Sequence, residues 1–235
     1  MSNSGLGKSS VGRKVVMALS GLFLLVFLLQ HLVINLLSVI SPEAFNDASH
    51  FMGTNAIVQF VAQPILIAGI LIHYAMGIIL TMKNKKARPI GYIVDNQAAN
   101  SSWVSRNMIV TGIVIFLFLI LHMGQFWLHE IQVKFLGGDW SGLDKATGEL
   151  RYWAELNGKF GGEYLYAGVY TLAFVFLGLH LAHGFASTFQ SVGFRHSKYT
   201  PALVKFGKIY SVVVPLLFIV IAWYHTLCSG TCGAH

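Results

Sequence analysis

Charge is what this sequence has least of. Only 11% of its 235 residues are Asp, Glu, Lys or Arg, against about 25% in an ordinary soluble domain. That excludes a water-soluble globule and places the chain among integral membrane proteins. Cysteine is also scarce, with only Cys228 and Cys232 present. Two thiols cannot hold an iron–sulfur cluster alone, and their spacing is not a Cys-x-x-Cys-His haem attachment. A loose or disulfide-linked tail is the plain reading of that pair. Of five prolines, Pro64 and Pro215 fall inside apolar stretches, where a kink is expected.

What is abundant is apolar. Hydrophobic residues make up 55% of the chain, and the mean hydropathy is +0.63. Five segments are long enough to cross a bilayer, which takes about 20 residues. They run Val15–Ile40, Ala56–Met82, Met108–Leu128, Leu165–Phe189 and Ile209–Leu227. The first is too long for a signal-peptide core, and no small-x-small cleavage site follows it. The expected fold is an all-α membrane protein, a bundle of five transmembrane helices forming one domain over residues 1–235. Between Val133 and Gly162 the chain turns polar, and a short interfacial helix or loop cap is expected there.

The net charge of +7 does not mean nucleic acid once its charges are placed. The N-terminal arm and the loops 83–107 and 190–208 together hold 12 Lys/Arg and one acid, Asp95. The other side holds four Lys/Arg and eight acids. By the positive-inside rule the N-terminus is cytoplasmic and the C-terminus outside. The basic loops suit anionic lipid or an acidic soluble partner.

Against this apolar background four spans each carry a deep histidine: His31, His73, His122, and His180 or His183. An ionisable side chain within a span is costly and marks function. Depth follows at about 1.5 Å per residue from the cytoplasmic helix ends. His31 lies 17 residues past Lys14 and His122 lies 16 past Arg106, both roughly 25 Å in. His73 lies ten residues before Lys83, about 15 Å from the same surface. His180 and His183 also fall in that inner half. The expectation is an outer pair, His31 with His122, and an inner pair, His73 with His180 or His183. Spacing does not choose between the last two. Imidazole is a good axial ligand for haem iron. Two imidazoles per iron leave no open position for oxygen chemistry, so two such haems at different depths would form an electron wire. Gly21 precedes His31 by ten residues and Gly112 precedes His122 by ten. Glycine lets a helix or flat ring approach the backbone closely. No repeat of fixed period is evident. His225 falls at the outer level without an assigned role. His50, His129, His196 and His235 read as interfacial.

Several of these residues sit in blocks with a family likeness. Gln30-His31-Leu-Val-Ile-Asn35, Glu43-Ala-Phe-Asn46 and Ala48-Ser-His50-Phe-Met52 resemble the cytochrome b membrane anchor of succinate:quinone oxidoreductases. The nearest type is the single-subunit, five-helix, di-haem anchor of bacterial succinate dehydrogenases and quinol:fumarate reductases. His73-Tyr-Ala-Met-Gly77, Leu121-His122, and His180 followed by Gly184-Phe-Ala-Ser187 and Gly193 agree with it in spacing. The resemblance covers essentially all five spans.

The resemblance implies two haems b, with His31 and His122 on the distal iron and His73 and His180 on the proximal one. The family's ligand stands four residues before the glycine of the fourth span, which selects His180 and leaves His183 to line the pocket. It implies no succinate chemistry in this chain. A flavoprotein subunit with covalent FAD and an iron–sulfur subunit would dock on the cytoplasmic face, at Lys83, Lys85, Lys86, Arg88, Lys198 and Lys205. Some of these would also neutralise haem propionates. A quinone, menaquinone in this type, would bind toward the outer face. Its candidate lining is Glu43, Asp47, His50, Gln59, Gln63, Gln125 and His129. The implied setting is the respiratory chain and tricarboxylic acid cycle of a bacterial cytoplasmic membrane. A higher oligomer of the complex is compatible with it. One position departs from the family. Some fumarate-reducing members carry a glutamate two residues before the fourth-span ligand, thought to move protons, and here Gly178 stands there. That mildly favours succinate oxidation. Two other readings fit the histidines: a di-haem anchor of a hydrogenase or formate dehydrogenase, and a haem-free transporter with a histidine proton relay.

Overall fold

The computed structural model describes residues 9–86, 106–194 and 196–228. Lys8, Arg88, Asp95, Arg195, Cys232 and His235 lie outside the described residues. Five helices are long and apolar enough to cross a membrane: α1 (Ser10–Ile40), α3 (Val58–Lys86), α4 (Met108–Leu136), α6 (Tyr164–Ser191) and α7 (Thr200–Leu227). Two short helices, α2 (Pro42–Thr54) and α5 (Tyr152–Phe160), join them at one end. No strand occurs among the described residues, and a single bridge pairs Leu143 with Leu150. Lys14, Lys83, Arg106 and Lys205 lie near the span ends of one side, here called the basic end. The acidic end carries α2, α5 and the polar segment between α4 and α5.

The helices start and stop for local reasons. Ser9 caps α1 by accepting from the Gly12 amide at 2.8 Å, which satisfies one of the orphan donors of a helix start. Ser41 serves two helices. Its amide bonds the Leu37 carbonyl at 2.8 Å to end α1. Its hydroxyl oxygen accepts from Ala44 N at 3.1 Å to begin α2, with Pro42 in the first turn, where a missing amide proton costs nothing. The first turn of α3, Val58–Ala62, is a π turn just ahead of Pro64, which cannot donate to the helix ladder. The wider turn absorbs that break. α4 runs one stretch longer than its apolar pattern, through two further π turns at Met123–Trp127 and Gln132–Leu136.

α6 and α7 pack along one another more extensively than any other pair. Their shared face holds most of the buried apolar side chains, including Phe174, Phe185, Tyr210 and Phe218. α1 packs on both. α3 leans on α1, and α4 on α6. Four spans therefore form a ring in the order α1, α3, α4, α6, with α7 behind α1 and α6. α1 and α4 are opposite corners, as are α3 and α6. Large apolar side chains such as Leu71, Val26 and Leu117 point away from the ring and are exposed, as a lipid-facing surface requires.

Candidate functional site

The deep histidines meet across the diagonals of that ring. His31 of α1 and His122 of α4 have ring centroids 5.8 Å apart, at 81°. His73 of α3 and His180 of α6 have centroids 6.2 Å apart, at 67°. The helices at opposite corners barely touch, so these side chains reach into the ring's centre. An imidazole nitrogen holds a metal at about 2 Å. Two rings clamping one ion thus place their centroids about 6 Å apart, the separation found in both pairs. No third His, Cys, Asp or Glu converges on either pair among the described residues.

The inner pair is held by two hydroxyls in matching positions. Ser20 Oγ lies 3.2 Å from His73 Nδ1, and Thr111 Oγ1 lies 3.1 Å from His180 Nδ1. Each hydroxyl also donates to the carbonyl three residues earlier, Met17 O and Met108 O, both at 2.9 Å. Beside them stand the two glycines of the ten-residue echo. A Cβ on Gly21 would sit 3.7 Å from His73 Cε1, and one on Gly112 would sit 3.9 Å from His180 Cε1. Both glycines thus belong to the inner level, although they share helices with the outer histidines.

The outer pair is packed in aromatic rings. Phe27 stacks on His31 at 5.5 Å and Phe118 on His122 at 5.6 Å. His122 Nδ1 lies 3.3 Å from the Tyr170 hydroxyl, which donates to Gln125 Oε1 at 2.6 Å. His31 lacks an equivalent among the described residues. Asn35 Nδ2 bonds its carbonyl at 2.8 Å and approaches the ring nitrogens only to 3.4 and 3.5 Å.

These contacts uncover a repeat with no fixed period. Met17-x2-Ser20-Gly21-x5-Phe27-x3-His31 in α1 matches Met108-x2-Thr111-Gly112-x5-Phe118-x3-His122 in α4. His73-Tyr-Ala-Met-Gly77 in α3 matches His180-Leu-Ala-His-Gly184 in α6. A Cβ at Gly77 would sit 3.8 Å from Met17 Cε, and one at Gly184 the same distance from Met108 Cε. The two helix pairs are thus related by an approximate two-fold axis along the bundle. Sequence reading had only the glycine-to-histidine spacing. The intervening Met, Ser/Thr and Phe carried the rest of the signal, but the loops between the paired helices differ in length and hide it.

His183 is half-buried, and its Nε2 lies 3.3 Å from Ser187 Oγ on its own helix. His180, not His183, faces His73. His225 is fully buried, with Nε2 2.9 Å from Ser38 Oγ and Nδ1 3.3 Å from Asn157 Oδ1. It ties α7 to α1 and α5 and faces no other histidine among the described residues. Gly178 packs on α7, where a Cβ would come 2.9 Å from Ser211 O. Pro215 stands four residues after Ser211 and has no amide proton for that carbonyl. The freed oxygen therefore occupies the space a side chain at 178 would need.

The polar candidates of the acidic end have separate partners. Gln125 joins Tyr170 and His122, as above. Gln63 accepts from Trp127 Nε1 at 3.3 Å, and Gln59 is buried against Met52 O at 2.7 Å. Glu43 and Asp47 are exposed on α2. A hydrogen bond from the Ser41 hydroxyl holds the Glu43 carboxyl below its ordinary pKa. His129 Nε2 lies 3.4 Å from Glu155, on the edge of an ion network absent from the sequence expectations. Arg151 pairs with Glu130 at 2.7 Å and Glu155 at 2.6 Å, and buried Lys134 pairs with Glu130 at 2.8 Å. Burial opposes the Arg151 charge, but hydrogen bonding to Glu155 and the charges of Glu130 and Glu155 overcome it and raise its pKa. His50 stands beside Tyr152, ring centroids 6.3 Å apart, and burial pushes the Tyr152 phenol up to about 12. Cys228, just past α7, is disulfide-bonded.

No family model, curated protein or solved structure matches the chain.

Proposed function

We propose that this chain is the di-haem cytochrome b anchor of a succinate:quinone oxidoreductase. The observation that carries the reading is the crossing of two opposed imidazole pairs, at two depths, on the diagonals of one helix ring. The donor set fits haem b. Each pair supplies two imidazole nitrogens, with no third His, Cys, Asp or Glu converging on it among the described residues, which leaves the remaining metal positions for a macrocycle. Glycines beside the inner rings and flat phenylalanines beside the outer ones suit a planar group. His31 and His122 would hold the outer haem, and His73 and His180 the inner one. When bound, haem with two axial histidines supplies one-electron transfer and little else.

The remaining residues then have defined work. The basic end, with Lys83, Lys85, Lys86, Lys198 and Lys205, receives an iron–sulfur subunit and the flavoprotein behind it. The resemblance in the Gln30–Asn35 and Glu43–Met52 blocks favours that partner over hydrogenase or formate dehydrogenase subunits. A quinone binds toward the acidic end, where Gln125 is the candidate joined to the outer pair, through Tyr170. Moving an electron between the two ends works with or against the membrane potential, about 2.3 kcal/mol per charge per 100 mV. Gly178 leaves no room for a proton-carrying glutamate beside the inner ligand, which favours succinate oxidation.

The test is purification in mild detergent from the native membrane. The expected result is a b-type reduced-minus-oxidised spectrum, a co-purifying flavoprotein and iron–sulfur protein, and haem reduction by succinate. A purified chain without haem would overturn the reading. Haem with other partners would keep the cytochrome and change the enzyme. Within the chain, His180→Ala should lose one haem and keep the other, and His183→Ala should keep both.

A further inference from the structure

We propose that Ser20, Thr111 and Tyr170 are positioning residues that fix the tautomer of three haem ligands. The argument rests on the cytochrome reading above and extends it to residues outside the ligand set. A hydroxyl has one hydrogen and two lone pairs. The Ser20 hydrogen goes to Met17 O and the Thr111 hydrogen to Met108 O, each at 2.9 Å. The Tyr170 hydrogen goes to Gln125 Oε1 at 2.6 Å. Each oxygen then has only lone pairs left for the imidazole beside it. Nδ1 of His73, His180 and His122 must therefore be the donor, at 3.2, 3.1 and 3.3 Å. A neutral imidazole carries one proton. With that proton on Nδ1, Nε2 is left bare, and it makes no hydrogen bond among the described residues.

A metal binds the bare nitrogen, and the proton on the other one orients the ring and sets its basicity. The arrangement does both before any metal arrives. A donor in place of Ser20 or Thr111 would select the wrong tautomer and turn the lone pair away from the iron. The equivalence of Ser20 and Thr111 in the two halves of the repeat means that the same device appears twice at the inner level. Among the described residues no hydroxyl meets a His31 ring nitrogen, so its tautomer is left to the metal.

Donation from Nδ1–H makes the ligand more electron-rich and favours ferric iron, so loss of the acceptor should raise the midpoint potential. The experiment uses the detergent-purified complex with S20A, S20T, T111V, T111S and Y170F. Thr111→Val keeps the shape and deletes only the hydroxyl. The readouts are haem content, redox titration of each haem, and the ferric low-spin electron paramagnetic resonance signal. S20A and T111V should keep both haems and raise the inner midpoint alone. The expected size is about a tenfold shift in the ferric-to-ferrous ratio, or about 59 mV for one electron. S20T and T111S should restore it, and Y170F should move the outer haem instead. Unchanged potentials and signals in variants that keep both haems would overturn the proposal and leave the cytochrome reading intact. So would loss of the inner haem from S20A that S20T does not rescue. A wild-type chain without haem would overturn both.

Discussion

A single carbonyl decides what can stand beside the fourth-span histidine. Pro215 leaves Ser211 O without its helix partner, and Gly178 is the residue that meets it. Replacing Gly178 by Ala puts a methyl carbon within 2.9 Å of that oxygen. The backbone of α7 cannot move aside as a flexible side chain would. The cost should be about 1–3 kcal/mol, as for other overpacked interiors, read as a lower unfolding midpoint in detergent. If Gly178→Glu gave a chain as stable as the wild type, the packing argument would be wrong. His225 offers the opposite case at the same scale. It sits at the depth of the outer pair, and by depth alone it is a ligand candidate. The structure gives it Ser38 and Asn157 instead. His225→Leu should keep both haems and lose about 1–3 kcal/mol of stability, because Ser38 and Asn157 each lose the imidazole as a hydrogen-bond partner. Loss of a haem from that variant would return His225 to the ligand list.

Helices differ in how far the sequence reveals them. The five spans follow from apolar length, and their positions agree with the expected segments to within several residues at most ends. The largest extensions are α7, which already begins at Thr200, and α4, which continues to Leu136 because its polar last turns are held by contacts with α2 and α5. Lys134, at 2% side-chain exposure, bonds Gly53 O at 2.7 Å as well as Glu130. The polar segment after Val133 does contain a short helix, α5. α2 was not legible because its residues are half polar, and its start depends on Ser41 and Pro42 acting together. The ion network is the tie between α4 and α5, and it was hidden because Glu130, Lys134, Arg151 and Glu155 come from two separate stretches. Arg151→Met leaves Glu130 and Glu155 short of a cation, which should cost on the order of 3 kcal/mol, as when a buried pair is broken. Lys145 is 88% exposed and 4.0 Å from Asp139, so Lys145→Met should change stability by no more than about 0.5 kcal/mol. Equal effects from the two would mean that the network is surface decoration. Comparing the two melting curves decides it.

The whole bundle is unevenly held, and that unevenness has a consequence for the haems. α6, α7 and α1 share the apolar core, while α3 contributes no buried residue to its most apolar stretch. α3 touches α4 only slightly and α6 hardly at all. What reaches from α3 across the ring is His73, and from α1 to α4 it is His31. Histidine depth was legible in the sequence because charge fixes the ends of each helix. The diagonal crossing was not, since it depends on which helices are neighbours. In the proposed cytochrome, a metal held between each pair ties opposite corners that protein packing leaves unjoined. A ligand that binds only the folded chain adds stability where it binds. Haem-depleted chain should therefore loosen first in α3 and in the part of α4 around His122, while α6 and α7 keep their protection. Hydrogen exchange of α3 should accelerate at least tenfold on depletion, with little change in the α6–α7 interface. The measurement is mass-resolved exchange in detergent, comparing chain from haem-replete cells with chain from cells unable to make haem. Uniform loosening of all five spans would mean that the ring is held as one unit. No change in α3 would mean that His73 ties nothing across the diagonal.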